Sequence, residues 1–182
     1  NRVENNNTLF EYVSDNILFT NSLTELAKKS KHKLIYISSV DVYPAEPTWA
    51  VWSEQDYVSI EKHKNIYALT KLMAESLVEK TEDHLILRCS ALLGPYMKPN
   101  SLLKMTKDPN CNLSLSKDSI FDYVLYGDVA RFLEYAILKD LTGIWNVCTN
   151  QPIALEYVAD LVGANPTYGY YMYDVGRISN KK

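Results

Sequence analysis

Leu34-Ile-Tyr-Ile-Ser-Ser-Val-Asp-Val-Tyr43 and, further on, Asn65-Ile-Tyr-Ala-Leu-Thr-Lys-Leu-Met-Ala-Glu75 decide how this chain is read. The first is an apolar, β-branched run ending in two hydroxyls, the pattern of a buried strand. In the second and its continuation to Lys80, apolar residues fall at 66, 69, 73 and 77. That is the 3.6-residue stripe of a helix with one face on a core, while Tyr67, Lys71 and Glu75 share a neighbouring face. A further apolar strand, Leu85-Ile-Leu-Arg88, follows. Strand, connection, helix and strand in this order argue an α/β sheet that is largely parallel.

Toward the N-terminus, residues 1–15 are polar and Asn-rich, and Ser14-Asp15 supply N-cap chemistry for a helix carrying Ile17, Leu18, Leu23 and Leu26. Residues 44–60 have no steady period and read as a loop; Trp49 and Trp52 within it serve as a lid or a simple cover. Toward the C-terminus, Gly94-Pro95 breaks the chain and residues 98–111 read as a short helix with loops. Residues 112–116 and 123–126 read as strands. Asp128 is the expected N-cap of a helix over 129–138, and residues 143–148 form another strand. Pro152 suits the first position of a helix that runs to Leu161 and ends at Gly163. The tyrosines at 168, 170, 171 and 173 are expected to pack an irregular tail rather than to touch a ligand.

The 182 residues, 47% apolar and 23% charged, suit one soluble globular domain with room for a small lobe. A net charge of -3 with scattered lysines argues against nucleic acid as a partner. The apolar runs are far shorter than the roughly 18 residues of a membrane helix, and no signal peptide opens the chain, so a cytoplasmic protein without a membrane partner is expected. Cys89, Cys111 and Cys148 form no CxxC pair and share no ligand-like spacing with His32, His63 and His84. They read as buried thiols, and no metal site is expected.

Tyr67 and Lys71, with Ser39 at the strand tip, form a set that can move a proton on and off a carbinol oxygen while a nicotinamide moves the hydride. Bringing a phenol from a pKa of about 10 to about 7 needs roughly 4 kcal/mol of preference for the phenolate. Burial pushes the other way. An ammonium some 4 Å distant supplies on the order of 4 kcal/mol at an effective dielectric of about 20, and i, i+4 helix positions lie about that close. The bland alternative is a solvated helix face beside a strand-end cap.

The landmarks resemble the extended short-chain dehydrogenase/reductase family, the NAD-dependent nucleotide-sugar epimerases, dehydratases and reductases. Asn16 with Leu23 resembles the family's Asn-bearing helix, and Ile37-Ser-Ser-Val-Asp-Val-Tyr43 its hydroxyl strand and Val-Tyr turn. Tyr67-Ala-Leu-Thr-Lys71 with Glu75 resembles its YxxxK helix, and Arg88-Cys-Ser-Ala-Leu-Leu-Gly-Pro95 its Arg-x-x-Asn-x-x-Gly-Pro segment. Asp122-Tyr-Val-Leu-Tyr-Gly-Asp-Val-Ala130 and Gly143-Ile-Trp-Asn-Val147 resemble the segment and strand that follow. The resemblance implies a partial Rossmann-like, doubly wound parallel sheet over 1–94 and 123–150, with a small C-terminal substrate lobe over 95–122 and 151–182. It implies that Ser39, Tyr67 and Lys71 are catalytic. Ser38, Tyr67, Lys71, Ser90, Ala91 and Leu92 would meet NAD or NADP, and Ser39, Val40, Tyr67, Ala91 and Phe121 a nucleotide sugar. A homodimer paired through the Tyr67 helix is the implied assembly.

The departures matter as well. Ala91 stands where the family usually has Asn, Phe121 where it often has Arg, and Pro44 where a Gly often ends the turn. Val40 occupies the place of the general acid of sugar 4,6-dehydratases, which leaves an epimerase or keto-sugar reductase. Asp41 reads as a turn-forming residue. None of the six glycines precedes Gly94, so residues 1–93 hold no phosphate loop. An upstream segment is therefore expected, without which Leu34-Ile-Tyr-Ile37 would be an exposed apolar sheet edge and the chain alone would be inactive. The alternative is a non-catalytic ligand-binding protein of the same fold.

Overall fold

The computed structural model describes residues 8–44, 51–62, 65–149, 151–174 and 176–179. Its centre is a parallel three-stranded sheet of β1 (Leu34–Ser39), β2 (His84–Cys89) and β3 (Gly143–Val147), in that spatial order. Leu34 to Ser39 pair with His84 to Cys89, and Leu85 to Cys89 with Gly143 to Val147. β2 is central, and Leu85, Ile86 and Leu87 are fully buried. A parallel strand covered on both faces needs such an uninterrupted apolar run, and each of these side chains contributes about 2 kcal/mol by burial.

Helix α1 (residues 9–30) and helix α2 (Ile66–Val78) pack against each other and on β1. On the opposite face, Val129 and Ala136 of α4 (Tyr126–Leu138) pack with Leu85, Leu87 and Cys89. With helices on both faces, the sheet is the doubly wound α/β arrangement that the alternation of strands and helices predicts. β1 ends the sheet, and Ile37 on it is 37% exposed, the apolar edge expected above.

A second apolar cluster joins Met105 of α3 (Ser101–Lys107), Cys111, Leu113 and Leu115 to Leu155, Val158 and Ala159 of α5 (Leu155–Leu161). The tail is laced onto it through Leu113 N–H to Thr167 O and Gly169 N–H to Leu115 O. Cys89, Cys111 and Cys148 are all buried, and none is in a disulfide.

Several local expectations give way to tertiary context. The first helix starts at Leu9, capped by Thr8 in a capping box with Glu11, and Ser14–Leu18 is a π-helical turn inside it rather than its start. Asp128 does not cap α4, which begins two residues earlier; it pairs with Arg131 in the first turn. Pro152 precedes α5, because Ile153–Ala154 pairs antiparallel with Ile120–Phe121. Residues 112–116 form no regular strand but only the isolated bridges Asn112 to Thr167 and Leu115 to Tyr171, although backbone hydrogen bonds run along 111–116 to Thr167, Gly169 and Tyr171. In the segment read as a loop, Val51–Trp52 pairs with Arg177–Ile178; Trp49 lies outside the described residues.

Candidate active site

The site is built at the C-terminal end of β1. Asn65 caps α2, its side chain accepting from Tyr67 N–H at 2.9 Å, and so sets where Tyr67 enters the first turn. One turn on, Lys71 Nζ donates to Ile37 O at 3.0 Å and lies 4.8 Å from the Tyr36 ring centroid. Burial pushes the Tyr36 phenol up, so the ring beneath the ammonium stays neutral. Burial also pushes the Lys71 ammonium down, with Lys98 acting in the same direction and Glu75 against it. Lys71 therefore ties the YxxxK helix to the strand that ends in Ser39.

The π turn in α1 projects Asn16, whose Nδ2 donates to Thr70 Oγ1 at 3.1 Å; Thr70 in turn donates to Tyr67 O at 3.1 Å. Tyr12 meets Tyr67 edge to face at 6.5 Å. α1 thus braces the turn of α2 that carries Tyr67. Beneath it, Glu75 and Arg88 form a buried ion pair, and Arg88 Nη1 also donates to Tyr43 Oη at 2.9 Å.

Ser39 and Ser38 diverge, as alternation along a strand requires. Ser39 Oγ donates to Asp41 Oδ2 at 2.8 Å and accepts from Asp41 N–H at 3.2 Å. Ser38 Oγ is buried and makes no hydrogen bond within the described structure. α2 packs on both β1 and the 3-10 turn Val40–Val42, which brings the Tyr67 helix alongside the Ser39 turn. Val40 is itself buried in a cluster with Tyr43, Val58, Cys148 and Ile178.

The next strand tip supplies the neighbouring residues. Ser90 Oγ donates to Asp122 at 3.5 Å, and Asp122 also accepts from Thr149 N–H at 2.9 Å and Thr149 Oγ1 at 2.8 Å. Ala91 pairs with Tyr123 in a short parallel ladder, and Leu92 packs on the sheet cluster. Phe121 stacks on Tyr123 at 5.5 Å and on Tyr173 at 4.8 Å. Tyr173 Oη also donates to Asp41 Oδ1 at 2.7 Å. No sequence signal joins Tyr173 to Asp41, because 132 residues separate them. Arg88, by contrast, is traceable as a charge closing an apolar strand, a position that calls for a buried acidic partner such as Glu75.

A depression of about 490 Å³ lies elsewhere, between α4 and β3, lined by Asp128, Phe132, Tyr135, Trp145 and Asn146 among others. Its polar groups are already used internally: Asp128 pairs with Arg131, and Asn146 bonds Tyr43 and Ser179. The chemistry-bearing residues are at the strand tip instead. Among the described residues no group of His, Cys, Asp and Glu is placed to hold a metal ion, and no helix is long and apolar enough to cross a membrane.

Residues 2–148 match the profile of the NAD dependent epimerase/dehydratase family. No curated protein matches the chain by sequence. Among solved structures it resembles the UDP-glucuronic acid 4-epimerase of Bacillus cereus in complex with NAD, with a TM-score of 0.77 and 21% identity over 95% of this chain and 61% of that one. The dTDP-glucose 4,6-dehydratase of Bacillus anthracis in complex with NAD gives a TM-score of 0.77 and 20% identity over 94% and 60%. The dTDP-4-dehydrorhamnose reductase of Bacillus anthracis in complex with NADP gives 0.72 and 18% over 86% and 57%. At these identities the likeness is one of fold, and the chain spans about three-fifths of the length of each.

Proposed function

This chain belongs to the NAD-dependent epimerase/dehydratase family, and we propose that it carries the acid/base half of an NAD(P)-dependent epimerase or keto-sugar reductase acting on a nucleotide-activated sugar. The observation that supports this most is Lys71 on the Ile37 carbonyl, which binds the Tyr67 helix to the strand ending in Ser39. In this reading Tyr67 takes a proton from, or returns one to, the reacting sugar oxygen, and Lys71 favours its phenolate. Ser39 orients that oxygen.

The buried, unpaired Ser38 hydroxyl and the Lys71 ammonium, which reaches from α2 to the carbonyl of the neighbouring Ile37, fit a hydroxyl-rich ribose, and with Ser90, Ala91 and Leu92 they would hold the nicotinamide end of NAD or NADP. When bound, that group supplies or accepts the hydride. The second apolar cluster, around Met105 and Leu155, supports a division into a core over 1–94 and 123–150 and a substrate lobe over 95–122 and 151–182. The half-exposed Ile66 and Met73 on α2 are the apolar groups through which two copies would pair.

Tyr67→Phe tests the reading in the full-length protein. Turnover of UDP- or dTDP-hexoses is expected to fall by about 10²- to 10⁴-fold, with sugar-nucleotide binding by calorimetry retained. Activity equal to the parent protein's rejects Tyr67 as the acid/base. A second reading, a ligand-binding protein without turnover, is favoured by one observation: Phe121 fills with an aromatic stack the place where the family often has Arg. Binding of these sugars with no turnover by the parent protein would select it.

A further inference from the structure

The hydrogen bonds of Ser39 restrict what its hydroxyl can offer. A serine hydroxyl has one proton and two lone pairs. The proton is directed to Asp41 Oδ2 at 2.8 Å, and one lone pair takes Asp41 N–H at 3.2 Å. Only the second lone pair is left. The carboxylate that holds the proton is itself braced, since Tyr173 Oη donates to Asp41 Oδ1 at 2.7 Å and the Tyr173 ring stacks on Phe121. Asp41 is 7% exposed, so water competes little for it.

We infer that Asp41, braced by Tyr173, is a positioning residue that makes Ser39 a hydrogen-bond acceptor, and that the site thereby favours the hydroxyl form of its sugar over the keto form. The inference rests on the reading that Ser39 and Tyr67 meet the reacting oxygen. In the binding state in which Tyr67 still holds its proton, before it acts as base, a carbinol can give its own proton to the remaining lone pair of Ser39 while accepting that of the Tyr67 phenol. A carbonyl oxygen has no proton to give, so its lone pairs confront that of Ser39. Turning the Ser39 proton toward the carbonyl would exchange a charge-assisted hydrogen bond for a neutral one about half as strong.

A purely structural role for the Ser39 and Asp41 contacts, as the cap of the turn Val40–Val42, makes a different forecast: loosening the turn weakens every ligand together. The test uses the full-length protein with redox-inert ADP-ribose in place of the nicotinamide cofactor. The probes are UDP- and dTDP-linked 6-deoxyglucose and their 4-keto-6-deoxyglucose counterparts, which differ only in the oxidation state at C4. Calorimetry is expected to show tighter binding of the 4-hydroxy sugar by the parent protein. Asp41→Ala, which leaves Ser39 its proton, should move the hydroxyl-to-keto affinity ratio by about tenfold toward the keto form, the equivalent of one hydrogen bond. Ser39→Ala should weaken the hydroxyl form about tenfold and leave the keto form nearly unchanged. It decides the matter alone if circular dichroism shows that Asp41→Ala is unfolded. Equal loss for both forms overturns the inference and leaves the functional proposal standing. Failure of the parent protein to bind any of the four sugars removes both.

Discussion

Arg88 grips Glu75 from the central strand. Nη2 lies 2.7 Å from Oε2, Nε lies 3.1 and 3.2 Å from the two oxygens, and the side chains are 4% and 2% exposed. This pair rivets α2 to β2 one turn below Lys71. Two buried charges hold each other's solvation penalty in check, so removing one partner is far worse than removing both. Glu75→Ala is expected to cost about 3–5 kcal/mol in urea unfolding, whereas Glu75→Leu with Arg88→Met recovers most of the loss. A single-mutant cost below about 1 kcal/mol would refute the pair as a rivet.

The sheet thiols should be inert while the chain is folded. Burial pushes both Cys89 and Cys148 up to about 12, with Lys71 partly opposing this at Cys89. The thiolate is the reactive form. Iodoacetamide at pH 8 is therefore expected to alkylate these two only after urea is added, as peptide mass mapping would report; rapid labelling of the folded protein contradicts the burial.

Gly169 marks a close approach of backbones. A Cβ there would lie 2.3 Å from Ser114 O and 2.7 Å from its carbonyl carbon, atoms that cannot rotate aside. Gly169→Ala is expected to destabilise the chain by about 1–3 kcal/mol. Hydrogen exchange should rise first along residues 167–173, the stretch bound to 111–119. An unchanged melting temperature would show that the two segments part without cost.

Asp122 gives stability a pH signature. Burial raises its carboxyl above the ordinary 3.8, against the hydrogen bonds from Thr149 and Ser90. The folded chain thus keeps this proton to a higher pH than the unfolded chain does. Its contribution to stability falls as pH rises from about the ordinary value through the raised one, and the penalty is complete above it. Asp122→Asn removes this titration while retaining an acceptor for Thr149. The parent protein's stability relative to the variant's, from unfolding titrations between pH 3.5 and 7, is expected to decline with rising pH. A difference that grows instead reverses the assignment.

The strand and helix that carry the site were legible because their signals are local. The run Leu34-Ile-Tyr-Ile and the existence of the helix follow from side-chain periodicity alone. The same holds for the buried central strand, whose apolar residues need no partner to be recognised. The stripe at 66, 69, 73 and 77, however, is not the buried face of the helix: Ile66 and Met73 are exposed, and Ala68, Thr70, Ala74, Glu75 and Val78 are buried instead, because the docking of the helix on the sheet turns the small and paired polar side chains inward. Element starts were less legible. The helix expected at Ser14-Asp15 begins at Leu9, since a capping box formed at Thr8 and the polar pair was absorbed into a π turn. The strand expected at 112–116 became two single bridges: the tail does bond it at Thr167, Gly169 and Tyr171, but not in the continuous register that a ladder requires, and that register is set by a partner far away in the chain.

By itself the sequence determined the order of parallel strands and covering helices, the family, and which hydroxyl, phenol and ammonium stand on neighbouring elements. Periodicity and short-range spacing encode those directly. Only the tertiary structure decided that Lys71 bonds the Ile37 carbonyl, that Asn16 reaches Thr70, and that Tyr173 arrives at Asp41 to hold the proton of Ser39. These are contacts between residues far apart in the chain, each settled by how a helix or a tail docks on the sheet, and no local pattern records where that docking brings a polar atom to rest.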